Sequence, residues 1–478
     1  MRPSGGKPPT GTVGGGSSRK LITLSFFAFA AMFPGTLSAP VLREFVQEIY
    51  TVGPDGAAWF LSVGMFGSIV AAPFVGRACD RFGNRAQFMI GGALGNAVCW
   101  ALIPYAPEFS VALAIRFVEG VSSVCVIGPL LAFAGDRNPA ANAASTDTGG
   151  ADAGGEDSSM IYGWVGMFLM LGAGVGLAVG GIVGGRNPHL PFALAAVSML
   201  GNAVFAFRYL RSLAAATPHE QRAPEFRATA HANLQSPANP WIALGAAGAL
   251  LLTLPLALAF VDRFSVGYMM TSWNFRMRDD LGMSAATAGG IMSMIMILMS
   301  LLSPAAAALV RRGGPGVTAT VRLVALGSIL YGAGLALTGV VTEALPMTGA
   351  AFLAGLGAGC MHAPTMILIS RLAPAAFRAT AMSAYVAAGS LGNLCGPVVS
   401  RHLEQVFTRL AGSDGFALLA LSFGGLEIAL AILLILAAFP GALLAQSRSP
   451  SDNQRGIGPT QKPRAAIGSP KSSGSSRQ

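Results

Sequence analysis

The sequence predicts an all-α integral membrane protein with twelve transmembrane helices in two pseudo-symmetric bundles of six. Three observations support this fold class. Of the 478 residues, 53% are hydrophobic and only 11% are charged, whereas soluble domains carry about a quarter charged residues. Apolar stretches long enough to cross the hydrocarbon, about 20 residues each, recur twelve times, and a polar segment divides them into two sets. The composition excludes an ordinary cytosolic enzyme and a disordered protein.

The predicted spans follow one another closely within each set. Those of the first set lie at about 21–40, 57–76, 86–105, 109–132, 160–184 and 189–207. Those of the second set lie at about 250–275, 285–310, 317–341, 345–370, 379–400 and 415–440. The first apolar run is too long for an ordinary signal peptide, so we interpret it as a span.

The segments between and around the spans complete the predicted domain organisation. A disordered basic cytoplasmic tail covers 1–20, the N-terminal bundle 21–207, a cytoplasmic linker 208–240, the C-terminal bundle 241–440 and a disordered basic tail 441–478. An acidic low-complexity cytoplasmic loop at 136–159 interrupts the first bundle. It is either a solvated insertion or a cation-binding segment, although EF-hand spacing is absent. The five cysteines are scattered and indicate neither a disulfide framework nor a metal site.

The basic residues predict the orientation of the chain in the membrane. With both termini in the cytoplasm, 23 of the 31 lysines and arginines face the cytoplasm, six lie in outer loops and two lie within spans. This is a strong positive-inside bias. The formal charge of +10 is therefore explained by topology, without a nucleic-acid partner. The Ala/Gly/Arg-rich composition is typical of a GC-rich bacterial gene, and we expect the cytoplasmic (plasma) membrane as the location.

The two sets of spans repeat one another, as transporter halves do. The residue pattern at the end of span two recurs with the same spacing at the end of span eight, 231 residues later. In this repeat Pro73, Gly76, Arg81 and Gly83 correspond to Pro304, Ala307, Arg312 and Gly314. Two glycines of span five recur in span eleven 220 residues later, Gly172 and Gly176 as Gly392 and Gly396.

With these motifs, the sequence resembles the major facilitator superfamily over roughly residues 20–440. The loop after span two resembles the superfamily's signature through Gly76, Asp80, Arg81, Gly83 and Arg85, with Asn84 where a basic residue is common. Arg116 and Glu119 fall in a stretch similar to its span-four motif, with Glu119 where Gln is usual. Span five has the glycine spacing of the 12-span drug:proton antiporter branch, in Gly163, Gly172, Gly176, Gly180 and Gly181, with Leu177 in place of a proline.

The resemblance implies the major facilitator fold and roles for two of these motifs. Asp80 would lie at the N-terminus of span eleven, near Thr380, where a helix dipole favours a carboxylate. That contact would hold one state of a cytoplasmic gate; the alternative is a topology anchor. The glycines of span five form a smooth stripe for close helix packing, which we interpret as a sealed sliding contact.

Five ionisable residues lie within the predicted spans, namely Arg116, Glu119, Asp262, Arg263 and Glu427. A charge in hydrocarbon needs a partner or a water-filled cavity. Arg116 and Glu119 are three residues apart on one helix and can pair, so they are either self-satisfied or involved in proton or substrate handling.

Asp262 and Arg263 are consecutive, so they point about 100° apart and we expect them not to satisfy each other. If span seven is centred here, Asp262 is the best candidate for the coupling proton, because a buried carboxylate can exist in either protonation state. The alternative is a structural ion pair at the outer end. Glu427 and His362 are weaker candidates. In span seven Tyr268, Trp273 and Asn274 offer aromatic and polar contacts to a solute.

These features predict a secondary active transporter that works by alternating access, most simply as a proton-coupled exporter of a small amphipathic solute. The alternatives are proton-linked uptake or facilitated diffusion of a small metabolite, and, in another class, a receptor or membrane-embedded enzyme on the same scaffold. A nucleotide-binding P-loop is absent from the sequence. We expect no cofactor or metal, a proton gradient as energy source, and a monomer in the lipid bilayer.

Overall fold

The structure, a computed structural model, describes residues 14–82, 85–135, 153–210, 240–312, 317–373, 378–412 and 415–447. The first six long helices in these ranges are α1 (Gly14–Leu37), α2 (Asp55–Phe82), α3 (Arg85–Leu102), α4 (Phe109–Gly135), α5 (Ala153–Gly184) and α6 (Leu190–Phe205). The other six are α7 (Pro240–Tyr268), α8 (Ala285–Arg312), α9 (Val317–Leu337), α10 (Ala344–Leu372), α11 (Arg378–Ala411) and α12 (Gly415–Ser447). Within the described ranges the chain forms no strand.

Eleven of these described helices are long and apolar enough to cross a membrane. The twelfth, α11, carries more polar residues but packs along α7 and α2 as the others pack along their neighbours. The predicted all-α membrane fold is confirmed. The seventh span is longer than predicted, because π-helical turns at Met269–Trp273 and Arg276–Asp280 continue α7.

Three helices extend past the boundaries predicted from hydropathy. α1 begins at Gly14, inside the predicted tail, and α5 begins at Ala153, inside the predicted acidic loop. α12 continues to Ser447, beyond the predicted start of the C-terminal tail. A helix satisfies its own backbone groups, so it can continue into water where the apolar run has ended. The rest of both tails, residues 136–152 of the loop and residues 211–239 of the linker lie outside the described residues.

Helix packing follows the same pattern in both halves. In the N-terminal bundle the main contacts are α1 with α5, α2 with α4, and α3 with α4 and α6. In the C-terminal bundle they are α7 with α11, α8 with α10, and α9 with α10 and α12, which is the same pattern shifted by six helices. The bundles meet through α5 with α8 and α2 with α11, and these two pairs are also related by that shift.

Glycines establish the correspondence at residue level. A side chain on Gly172 or Gly176 would overlap the carbonyl oxygens of Phe29 and Phe33 in α1. In the second half, Gly392 and Gly396 approach the carbonyl oxygens of Phe260 and Phe264 in α7 equally closely. Phe29 and Phe260 are therefore equivalent positions 231 residues apart, as are Phe33 and Phe264.

Candidate functional site

The charged pair of the N-terminal bundle lies in the bundle interior. Arg116 Nη1 forms an ion pair with Glu119 Oε2, and the two side chains are 4% and 5% exposed. Asn96 of α3 donates from Nδ2 to Glu119 Oε1 at 2.9 Å, and Arg116 Nε donates to the carbonyl oxygen of Phe60 at 3.3 Å. The predicted pairing is present.

Two aromatic rings complete the enclosure of Arg116. Its guanidinium carbon lies 5.3 Å from the ring centre of Phe60 and 4.9 Å from that of Trp100, within cation–π range. Gly64 makes room, because a Cβ there would lie 2.8 Å from the guanidinium carbon. Sequence reasoning missed Asn96, Phe60, Trp100 and Gly64, although an asparagine within an apolar span was a usable signal. All these partners belong to α2, α3 and α4, so the pair supports the bundle.

The charges of α7 are arranged differently from the prediction. Arg263 Nε lies 3.4 Å from Asp262 Oδ2, although consecutive helical residues start out in different directions. The long arginine side chain curls back along the helix, so the expectation that the two residues do not satisfy each other was wrong for this contact. Arg263 Nη2 also lies 3.2 Å from His362 Nδ1 of α10. Because arginine can only donate, the Nδ1 of His362 accepts and its ring is neutral.

Arg263 also reaches the other bundle. Its Nη1 lies 4.0 Å from the sulfur of Met170 in α5, and a thioether is a weak acceptor. The Arg263 side chain is 16% exposed, whereas that of Asp262 is 7% exposed. Arg263 therefore lies where the bundles meet, and the less exposed Asp262 lies deeper in the C-terminal bundle. Some N–H groups of the Arg263 guanidinium have no strong hydrogen-bond acceptor among the described residues.

The other predicted cavity residues are distributed over the C-terminal bundle. Tyr268 and Trp273 are fully buried in its core, where Tyr268 Oη lies 2.9 Å from Thr338 Oγ1 and Trp273 donates from Nε1 to the sulfur of Met347 at 3.2 Å. Their expected role as solute contacts does not fit this placement, because they fall on the face of α7 that packs inside its own bundle. Asn274 instead joins the two bundles, donating from Nδ2 to the carbonyl oxygen of Ala39 at 2.7 Å. Glu427 of α12 is fully buried.

The predicted cytoplasmic gate is only partly described. Arg81 is exposed at the end of α2, and Gly76 and Arg85 border a crevice of about 160 Å³ between α2 and α4. Gly83 and the side chains of Asp80 and Thr380 lie outside the described residues. The contact between Asp80 and the start of α11 stays a prediction.

The glycine motif of α5 divides between two faces of the helix. Gly172, Gly176 and Gly180 approach carbonyl oxygens of α1 in the same bundle, whereas Gly181 approaches Ala285 of α8. The predicted close packing of a helix on the stripe is present. For its first three glycines that helix is α1 of the same bundle, so the interpretation as a sliding contact was wrong for them. Gly163 lies nearer the start of α5, and the prediction for it stays open.

The contact between bundles uses a second stripe on α5. Gly174 packs on Met296 and Ile297 of α8, and Gly289 of α8 packs on Leu177. Further along, Ser300 Oγ donates to the carbonyl oxygen of Met167 at 2.8 Å. Between α2 and α11, Ser62 Oγ donates to the carbonyl oxygen of Leu394 at 2.7 Å.

Ion pairs join the bundles at the end of the molecule where α1 leads into α2. Arg43 pairs with Asp279, and Glu44 pairs with Arg278. Arg401 of α11 lies 3.6 Å from Asp55 of α2. We call these residues the inter-bundle ion-pair cluster: Arg43, Glu44, Asp55, Arg278, Asp279 and Arg401. They hold the bundles together at this end.

Sequence reasoning missed the ion-pair cluster. Its arginines were counted only as departures from the positive-inside pattern, because Arg43, Arg278 and Arg401 are three of the six basic residues on the predicted outer side. That departure was the available signal.

Comparison with known proteins gives a family match and curated relatives. The family model described as Major Facilitator Superfamily matches residues 24–397. The tetracycline resistance protein, class G, of Vibrio anguillarum is 32% identical over 185 residues, which are 38% of this chain and 42% of that protein. A probable triacylglyceride transporter of Mycobacterium bovis is 31% identical over 114 residues, 23% of this chain and 22% of that protein. The matches thus span less than half the length of either relative.

Solved structures of similar fold cover most of the chain. The nucleoside transporter NupG is 13% identical with a TM-score of 0.60, over 88% of this chain and 99% of that one. A peptide transporter POT in complex with sulfate is 17% identical with a TM-score of 0.62, over 88% and 94%. At these identities the likeness concerns the fold alone.

Proposed function

Because the chain belongs to the Major Facilitator Superfamily, it is a multi-pass membrane transporter rather than an enzyme, and we propose that it is a proton-coupled exporter of a small, amphipathic organic solute. The observation that carries the proposal is the Asp262–Arg263 pair, which lies where the two bundles meet. Proton binding at Asp262 removes the counter-ion of Arg263. The guanidinium is then released for other partners, and the contact between the bundles changes with it.

Two sequence likenesses support export. The glycine spacing of α5 resembles that of drug:proton antiporters, and one curated relative is named a tetracycline resistance protein. With both termini in the cytoplasm, as the basic residues favour, the ion-pair cluster lies outside. The structure then corresponds to a state closed on the outside, from which a solute is taken up on the cytoplasmic side.

The remaining parts of the proposal concern the setting of the transporter. We expect it in the cytoplasmic membrane, driven by the proton gradient without a bound cofactor, and active as a single chain. Arg116 and Glu119 stabilise the N-terminal bundle and have no direct contact with the solute.

Everted membrane vesicles with an acid interior test this function. A pH-sensitive dye reports the gradient while cationic, neutral and anionic amphiphiles are added one at a time. We expect some compounds to collapse the gradient partly in wild type and in Glu343→Gln, which changes an exposed carboxyl at the start of α10. The response is lost in Asp262→Asn, because the amide cannot exchange a proton.

Two other outcomes would contradict the proposal. An undiminished response in Asp262→Asn places the coupling group elsewhere. If no compound acts on wild type, export is wrong, and uptake of small metabolites by whole cells becomes the measurement that decides between proton-linked uptake and facilitated diffusion.

A further inference from the structure

Glu427 is a buried carboxyl group for which the described residues provide no hydrogen-bond partner. Its residue is 0% exposed, and neither carboxylate oxygen has a hydrogen-bond partner in the part of the chain that the structure describes. The side chain leaves α12 at its contact with α9, where a Cβ on Gly332 would lie 3.1 Å from Glu427 Cβ. The carboxyl group is thus in the dry interior of the C-terminal bundle.

Ring stacking between α7 and α12 fixes the depth of Glu427. Phe423 of α12 stacks on both Phe264 and Tyr268 of α7, at centroid distances of 5.1 and 4.9 Å. The two helices are antiparallel, so a step of one turn from Phe423 to Glu427 leads to the level of Asp262. The two carboxyl groups are close enough to interact electrostatically.

Hydroxyl groups lie beside the two carboxyls. Ser265 follows Asp262 on the same face of α7; its Oγ is buried and makes no hydrogen bond of normal geometry within the described residues. Tyr331 of α9 is buried next to Ser265 and interacts with both carboxyls. These buried polar side chains thus come from α7, α9 and α12 of the C-terminal bundle.

The charges around these oxygens do not balance. Asp262 and Glu427 carry two negative charges when ionised, and Arg263 compensates the one on Asp262. Among the described residues, the other titratable groups facing this region are His362 of α10, which is neutral as an acceptor, and the phenols Tyr331 and Tyr385 of α9 and α11. An unpaired carboxylate in such a place is strongly unfavourable, so one monovalent positive charge is needed.

We propose that Glu427, Asp262, Ser265 and Tyr331 form an internal site for one monovalent cation, and that this cation is a proton held on Glu427. Glu427 is then a neutral acid while Asp262 stays ionised opposite Arg263. Glu427 itself is on α12, at its contact with α9, so its proton is separate from the one exchanged at Asp262 during transport. The inference deepens the proposed function by adding a second protonated carboxyl to the same bundle.

Infrared spectroscopy of the purified full-length protein in lipid nanodiscs tests this site without a transported solute. The carbonyl stretch of a protonated carboxylic acid is separate from the carboxylate bands. At neutral pH we expect such a band in wild type, in Glu343→Gln and in Asp262→Asn, and its loss in Glu427→Gln. Arg263→Gln removes the counter-ion of Asp262, so a second protonated carboxyl should increase the band.

Isotope labelling makes the test independent of whether the variants fold. In wild type the band should shift with ¹³C-labelled glutamate and stay unchanged with ¹³C-labelled aspartate. An absent band, or one that shifts only with labelled aspartate, overturns the proposal. A band that disappears when choline is replaced by Na⁺ shows that the ion is sodium and overturns the assignment to a proton. Because the band does not depend on transport, loss of the dye response with the band intact contradicts the exporter proposal alone.

Discussion

Arg116 with Glu119 in the N-terminal bundle and Arg263 with Asp262 in the C-terminal bundle are both ion pairs in membrane helices, yet their surroundings differ. The first pair is 4–5% exposed and is enclosed by an asparagine, a carbonyl oxygen and two aromatic rings. In the second pair Arg263 is 16% exposed, and the polar contact that it makes across the bundles within the described residues is with a weak acceptor, the sulfur of Met170. A fully satisfied pair supports a fold, whereas an incompletely satisfied one is able to change partners.

The internal repeat shows that the second pair has no equivalent. Because Phe29 and Phe33 correspond to Phe260 and Phe264, Ala31 and Met32 of α1 occupy the positions of Asp262 and Arg263. The first helix of the N-terminal bundle is therefore apolar at the level where that of the C-terminal bundle is charged. In the proposed function, proton exchange is therefore assigned to one half of a nearly symmetric scaffold.

The largest effect expected from this comparison is on stability. Arg116→Ala leaves Glu119 buried without its counter-ion, which destabilises a protein by about 3–5 kcal/mol. Arg263→Ala should cost much less, because Asp262 lies beside the partly exposed contact between bundles and can take up a proton. Thermal unfolding of both purified variants in detergent measures the difference. Equal destabilisation would show that the two pairs have the same role.

A smaller effect is expected at the glycine stripes. Gly176→Leu and Gly396→Leu each force a side chain against a carbonyl oxygen of the neighbouring helix, and overpacking of this kind typically costs about 1–3 kcal/mol. Both should lower the unfolding temperature to a similar extent, because the two stripes are equivalent. Gly349→Leu, at a position with no atom within 4 Å, serves as the control. A lower unfolding temperature in only one of the two variants would refute the equivalence of the two glycine stripes.

The smallest effect concerns the ion-pair cluster. Arg278→Gln removes a partly exposed ion pair that stabilises the closed state by up to about 1 kcal/mol. The fraction of molecules in which the bundles are separated at the ion-pair cluster should therefore rise by up to about fivefold. The labelling rate of a cysteine replacing Ser62, in a chain without native cysteines, reports that opening. Arg186→Gln changes another basic residue of the predicted outer side and should leave the rate unchanged. A cluster without a gating role would give the same rate in both variants.

The twelve helices were predictable because apolar length and glycine spacing are local properties of the sequence. The pairing of Arg116 with Glu119 was predictable for the same reason, since both lie on one helix. The contact of Arg263 with Asp262 was missed because helical spacing gives the direction of a Cβ and not the path of a long side chain. Tyr268 and Trp273 were assigned to a solute cavity because the sequence shows that α7 is polar but not which face of it meets the other bundle.

The ion-pair cluster was beyond sequence reasoning for another reason, since its partners come from opposite halves of the chain. Arg43 and Asp279 are 236 residues apart, and Asp55 and Gln405, which hydrogen-bond beside the cluster, are 350 residues apart. No motif spacing relates such positions. They meet because the segment that joins α1 to α2 contacts the end of α7, and α2 packs on α11, once both bundles are complete.

That separation also sets an order for biogenesis. The chain is made from its N-terminus and domains generally fold as units in that order, so Arg43, Glu44 and Asp55 emerge from the first bundle before α7 and α11 exist. Until then their charges are solvated by water and hold nothing together. The pairs of Arg43 and Glu44 can form once α7 has been synthesised, whereas the pair of Asp55 with Arg401 forms only after α11, the eleventh of the twelve helices. The ion-pair cluster is therefore completed late in the assembly of the transporter.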